Sequence, residues 1–261
     1  MEYQTITWVV KDGVGTLTLT RPEVLNAFNK QMTDEMQDAL KQAERDKTVR
    51  CLVMTGAGRA FSAGEDLKTH LGGELSHSIA DAIRTRYNPI ILKMRSIEKP
   101  IIAAINGVAA GAGLSVALAA DLRIASDKAK LIEAFSRIGL VPDSGSSFFL
   151  PWLVGIGKAM ELCLLAEDVS AEEALRIGLV NKVVPAAELE AATAAWANKL
   201  ANGPTVAYGL IKRTLNRAQH AELQEILDYE MHGQATVAKT ADAQEAIRAF
   251  SEKRTPKFKG E

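Results

Sequence analysis

Carboxylates and glycine loops carry most of the chemistry available to this 261-residue chain. Asp143 stands in Val141-Pro142-Asp143-Ser144-Gly145, after an apolar run and ahead of a predicted helix over Phe148–Leu153. Two roles fit it. As a helix N-cap its carboxylate would accept first-turn amides. As a desolvated base it would sit among Phe135, Leu140, Val141 and Phe148. Helix amides would lower its pKa and burial would raise it, so both roles stay open at this level. Two glycine loops, Gly56-Ala57-Gly58-Arg59-Ala60-Phe61 and Gly111-Ala112-Gly113-Leu114-Ser115-Val116, invite a dinucleotide reading. That fingerprint wants Gly or Ala where Phe61 and Val116 stand, and no Gly-x4-Gly-Lys-Ser/Thr occurs. The segments Ala63-Gly64-Glu65-Asp66-Leu67 and Gly111-Ala112-Gly113-Leu114 offer something else. Each puts small residues before a predicted helix, where unpaired amides allow a ligand to approach the backbone closely. Two such amides on one oxygen would stabilise an enolate or a tetrahedral oxyanion. Spacing alone does not say whether the loops meet.

Other chemistries find no support. His70, His77, His220 and His232 pair with no carboxylate or histidine at a metal-ligand spacing, so no metal is expected. Gly145 lies between Ser144 and Ser146, but a Gly-x-Ser-x-Gly elbow is missing.

These residues need a scaffold, and the first two thirds of the chain alternate strand and helix signals. Val14–Leu19 alternates at period two, a half-buried strand. Met32, Met36, Leu40 and Ala43 recur at helical spacing between Lys30 and Asp46. Cys51–Met54 is a short apolar run, a buried strand. Thr69–Ser78 is polar and reads as a mobile loop; Ile79, Ile83, Ile90 and Leu92 predict a helix, which Pro100 ends before a strand at Ile101–Ile105. Further strands are predicted at Asp121–Ala125, Leu131–Ile132 and Val180–Val184. Ser170-Ala171-Glu172-Glu173 is a capping-box sequence. Leu189, Trp196 and Leu200 mark one late helix, and Leu223, Ile226, Leu227 and Met231 another. The expected class is α/β to about Val184 and helical beyond.

Composition narrows the function classes. A 47% hydrophobic and 24% charged chain is neither disordered nor a disulfide miniprotein. A net charge of -1 argues against a nucleic-acid partner, which selects for a basic excess. Ile101–Ala120 is uncharged over a length that could span a membrane, but Asn106-Gly107, Gly111 and Gly113 divide it into strand, turn and helix. Met1-Glu2-Tyr3-Gln4 lacks the basic and apolar regions of a signal peptide, and Cys51 and Cys163 read as buried free thiols, so a cytoplasmic location is expected.

Taken in order, several segments resemble the crotonase superfamily, the enoyl-CoA hydratases and isomerases. They are Arg21-Pro22-Glu23-Val24-Leu25-Asn26-Ala27, Arg59–Leu67, Lys99–Gly113, Ser170–Val180 and the tail Ala249–Phe258. The resemblance implies a spiral of ββα units with a helical C-terminal trimerisation region, here a core over 1–200 and an oligomerisation region over 201–261. It also implies a homotrimer or dimer of trimers. The substrate would be an acyl-CoA thioester, with coenzyme A entering as part of it and no separate cofactor. Its thioester oxygen would lie between the backbone amides of Glu65 and Ala112. The adenine end would lie near Ala27, Ala63, Asp66 and Leu67, with Gly111 and Phe135 beside the acyl group and Lys257 near the phosphates.

The departures bear on activity. Hydratases of this superfamily carry two glutamates that hold water, and this chain has Ser115 and Phe135 at those positions. Glu133 is the nearby substitute; on a strand it would share the face of Phe135. Asp143 falls where other branches use a catalytic aspartate, among them dienoyl-CoA isomerases, an aryl-CoA dehalogenase and ring-1,2-epoxyphenylacetyl-CoA isomerases. Gly139–Gly145 is most similar to the last branch. The resemblance thus favours an acyl-CoA isomerase with Asp143 as base. A hydratase, a dehalogenase with Asp143 as nucleophile, and a non-catalytic acyl-CoA or RNA-binding member of the fold are the alternatives.

Overall fold

The computed structural model describes residues 3–67 and 75–261, with side chains from residue 79 onward in the second stretch. The chain begins with β1 (Ile6–Lys11) and β2 (Val14–Leu19), which pair antiparallel. In β2 burial alternates, with Gly15, Leu17 and Leu19 inward. Helix α1 (Lys30–Arg45) is capped by Asn29, whose side chain accepts the Met32 amide at 2.9 Å, and it buries Met32, Met36, Leu40 and Ala43 as their spacing predicts.

A unit then repeats in which the chain lays one strand in each of two sheets before a helix. β3 (Cys51–Gly56) and β4 (Ala60–Ser62) precede α2 (Leu75–Ala82) and α3 (Asn88–Ser96). β5 (Ile101–Ile105) and β6 (Val108–Ala110) precede α4 (Ala112–Ala119). β7 (Leu122–Ser126) and β8 (Lys130–Ile132) precede α5 (Ser146–Val154) and α6 (Ile156–Leu165). The last short elements are β9 (Val169–Ser170), α7 (Ala171–Arg176) and β10 (Lys182–Val184). The larger sheet has the order β1-β2-β3-β5-β7-β10 and the smaller β4-β6-β8-β9, with β2 through β10 parallel in the first. This is the ββα spiral expected.

β3 and β5 are covered on both faces, which is why they read as continuous apolar runs. Leu52, Met54, Ile101 and Ala103 enter the main core with α1 and α3. Cys51, Val53, Ile102 and Ala104 face the other way, against Leu189, Ala197 and Ala201 of α8 (Leu189–Ala201). Three further helices follow: α9 (Thr205–Ala218), α10 (Leu223–Val237) and α11 (Ala241–Ser251). Among the described residues no helix is long and apolar enough to cross a membrane, and both cysteines are free, Cys51 buried and Cys163 half-buried.

Several local expectations shift. Thr69–Glu74 of the expected loop lies outside the described residues, but Leu75–Ser78 opens α2. The final strand starts at Lys182, because Leu179 and Val180 instead close the end of α7 through bonds to the Ala174 carbonyl. Leu92 points to solvent, since a π turn over Ile83–Tyr87 breaks the helical register ahead of α3. Only half of the capping box forms: Ser170 caps Glu173, whose carboxylate turns to Arg176. In α10 Ile226 is buried while Leu223, Leu227 and Met231 are exposed.

Candidate active site

The two glycine loops meet. A side-chain carbon added at Gly64 would lie 3.3 Å from the Ala112 nitrogen and 2.8 Å from the Ala110 carbonyl oxygen. One added at Gly113 would lie 2.4 Å from the Ser62 carbonyl oxygen. Glycine is needed at both positions because backbone approaches backbone there. Ala112 is the first residue of α4, so its amide has no acceptor within the helix. Residue 65 forms a parallel bridge with Phe28, which uses the Gly64 carbonyl and the Asp66 amide. The Glu65 amide therefore faces away from Phe28.

The segment ahead of α1 fixes this geometry. Asn26, fully buried with φ +55°, donates to the Ala57 and Ala60 carbonyls and accepts the Arg21 amide. Ser62 donates to the Asn26 carbonyl, and the Ala63 amide to that of Leu25. Arg21 bonds the Ala27 carbonyl and pairs with Asp66 at 3.0 Å. Ala27, Ala63, Asp66 and the half-exposed Leu67 thus share one neighbourhood. Lys257 does not join it in this chain. Its amide donates to Glu245, and the next residue, Phe258, is held by Arg50 at the start of β3, the opposite end from Gly56.

Asp143 is not an N-cap. Gly145 occupies that place in α5 with no side-chain bond, and the Ser146 amide reaches the Asp143 carbonyl rather than its carboxylate. The carboxylate accepts Ser144 Oγ at 2.8 Å. Burial raises its pKa, the Ser144 bond opposes that rise, and the nearby Glu65 charge adds to it. Glu65 in turn is gripped by Arg86 at 3.1 and 3.2 Å and by the Tyr87 hydroxyl. Arg86 and Tyr87 escaped the sequence reading. The π turn that aims both at Glu65 has no signature in apolar spacing, although such turns often mark functional sites. Burial and the Glu65 carboxylate push the Tyr87 phenol above its ordinary range.

Phe135 is buried, with its ring edge 3.9 Å from where a Gly111 side-chain carbon would be. It lies in a 3-10 turn over Ala134–Ile138, so Glu133 does not share a strand face with it. Glu133 is instead enclosed, 2% exposed, with Ser146 Oγ 2.9 Å from its Oε1 and Ser115 Oγ 2.9 Å beyond. Burial raises its pKa from 4.5 to about 7; the Ser146 bond opposes this and Asp143 adds to it. Among the described residues no cluster of His, Cys, Asp and Glu could hold a metal.

The backbones of the two loops come together and a desolvated carboxylate, Asp143, lies near Glu65 of one of them, and a family profile described as Enoyl-CoA hydratase/isomerase matches residues 10–261. The chain belongs to the enoyl-CoA hydratase/isomerase family. Relatives within this family carry both activities in their names. A 1,2-epoxyphenylacetyl-CoA isomerase of Escherichia coli is 42% identical, covering 96% of this chain and 97% of its own. A trans-2-decenoyl-[acyl-carrier-protein] isomerase of Streptococcus mutans is 37% identical over the full length of both. Among solved structures, an enoyl-CoA hydratase from Bacillus anthracis superposes with a TM-score of 0.95 at 33% identity, covering 99% of this chain and 100% of that one. The family accounts for the spiral and the meeting loops; the names leave isomerase and hydratase both represented.

Proposed function

We propose that this chain is an acyl-CoA isomerase that moves a double bond through one carboxylate, Asp143. The observation that carries the reading is the substitution of carboxylates around the loops. Ser115 and Phe135 occupy the two positions where hydratase glutamates are expected, and a partly buried Asp143 with a raised pKa faces Glu65. In a 3-enoyl-CoA, Asp143 removes a proton from C2, next to the thioester. The Glu65 and Ala112 amides take the charge that develops on the thioester oxygen, each worth a few kcal/mol of barrier. Asp143 then returns the proton at C4 and the 2-enoyl-CoA forms. A raised pKa suits both halves of this task, because the carboxyl must accept and release a proton near neutral pH. Buried Phe135 keeps water from the position where a second carboxylate would hold it.

Ala27, Ala63, Asp66 and Leu67 would line the approach of the coenzyme A portion, with Lys257 supplied to its phosphates by another protomer. The E. coli relative's named substrate makes 1,2-epoxyphenylacetyl-CoA the second compound to test. Mass spectrometry after incubation with 3-hexenoyl-CoA and, separately, crotonyl-CoA tests the reading. Conversion of the first to 2-hexenoyl-CoA with no water added to the second is expected, and Asp143→Asn slows the conversion by orders of magnitude. Water addition to crotonyl-CoA without isomerisation overturns it in favour of a Glu133-dependent hydratase.

A further inference from the structure

Behind the glycine loop runs a set of buried hydroxyls for which the isomerase mechanism has no use. Glu133 follows β8, Ser146 opens α5 and Ser115 lies in the first turn of α4; they are 2%, 0% and 0% exposed. Their oxygens are spaced at 2.9 Å and 2.9 Å, and Ser115 Oγ is 3.2 Å from the Gly111 carbonyl oxygen. That carbonyl belongs to the same peptide unit as the Ala112 N–H. Among the described residues Glu133 Oε2 has no hydrogen-bond partner, a costly arrangement for an ionised oxygen and a tolerable one for a protonated acid. We propose that Glu133, Ser146 and Ser115 form a donor chain that polarises the Gly111–Ala112 peptide and sets the strength of Ala112 as an oxyanion donor. With the acid protonated, all three hydroxyl hydrogens have acceptors in one direction: Glu133 to Ser146, Ser146 to Ser115, Ser115 to the Gly111 carbonyl. When Glu133 ionises, Ser146 must donate to it and Ser115 to Ser146, and the Gly111 carbonyl loses that hydroxyl. Bonds in such a chain reinforce one another by roughly 10–30% each. Glu133 is a positioning residue; it touches no reacting atom.

The charged environment of Glu133 is simple. Asp143 faces it from the loop before α5, and the Cys163 thiol from α6, itself pushed up to about 11 by burial and then by Glu133. α4, α5 and β6 carry no ionisable side chain, and Lys158 and Glu161 of α6 pair with each other at the surface. The inference rests on reading Ala112 as an oxyanion donor, so its test uses a thioester with no double bond to move or hydrate. Hexanoyl-CoA labelled with carbon-13 at the carbonyl is bound to the protein and its stretch followed by difference infrared spectroscopy. A shift to lower frequency is expected at pH 6, falling as Glu133 ionises toward pH 8. Glu133→Gln holds the donor direction at every pH, so its shift does not fall. Ser146→Ala and Ser115→Ala lose roughly 10–30% of the shift. A full shift in both serine variants, or a wild-type shift unchanged from pH 6 to pH 8, overturns the chain. Absence of any shift in the wild-type protein overturns the oxyanion reading itself, and the chain with it.

Discussion

Replacing Glu133 by Gln should make the protein more stable relative to the wild type as pH rises, because burial holds the Glu133 carboxyl above its ordinary range. The Glu133 carboxyl titrates at about 7 in the folded protein against 4.5 as its ordinary value. Between those pH values the folded state holds one proton more than the unfolded chain, so stability falls as pH rises through the window and is level on either side. At about 1.4 kcal/mol per pH unit the whole loss is about 3 kcal/mol, most of which falls between pH 5 and pH 8. The side-chain amide of the Glu133→Gln variant does not titrate. Urea unfolding of both proteins at pH 5 and pH 8, at one fixed protein concentration, separates this group and its coupling to Asp143 from the others that titrate in the window. The variant should gain roughly 2–3 kcal/mol on the wild type between the two pH values. A difference that does not change with pH would show that Glu133 is ionised at neutrality and that its enclosure has been misjudged.

Asp143→Asn should lower kcat for 3-hexenoyl-CoA by about 10²–10⁴-fold with KM little changed, as expected for loss of a proton-transferring group. In the wild type kcat/KM should climb with pH through the Asp143 pKa, which burial places above 3.8, because the base works ionised; stopped assays across pH 4–7 would show it. Gly113→Ala puts a carbon 2.4 Å from the Ser62 carbonyl oxygen, so it should cost about 1–3 kcal/mol in urea unfolding and separate the two amides, lowering kcat. Leu223, Met231, Ile247 and Phe250 are all more than half exposed in the single chain, and light scattering should find a multiple of three chains; a monomer would contradict that assembly.

The sequence carried the scaffold further than the site. Continuous apolar runs located β3 and β5, and helical spacing located α1, because burial writes itself into periodicity. Both glycine loops were visible for the same reason, since only small residues permit the approach of Gly64 and Gly113 to neighbouring backbone. Asp143 was visible as a carboxylate in an apolar setting, but its two roles predict opposite pKa shifts, and only the place taken by Gly145 removed the N-cap. Contacts between distant residues left no local trace. Arg86 and Tyr87 reach Glu65 across 21 and 22 positions through a π turn. On a strand Glu133 would share a face with Phe135, but a 3-10 turn follows it and its carboxylate meets Ser146 instead.

The central claim is that one carboxylate carries a proton from C2 to C4. The most direct measurement is the deuterium content at C4 of 2-hexenoyl-CoA formed from 3-hexenoyl-CoA in heavy water, read at a single turnover by mass spectrometry and NMR. Asp143 acting alone in a shielded site should carry hydrogen from C2 to C4 and leave a large share of product with no deuterium at C4. One full deuterium at C4 in every product molecule would mean that water, or a second base, supplies that proton, and would contradict the account.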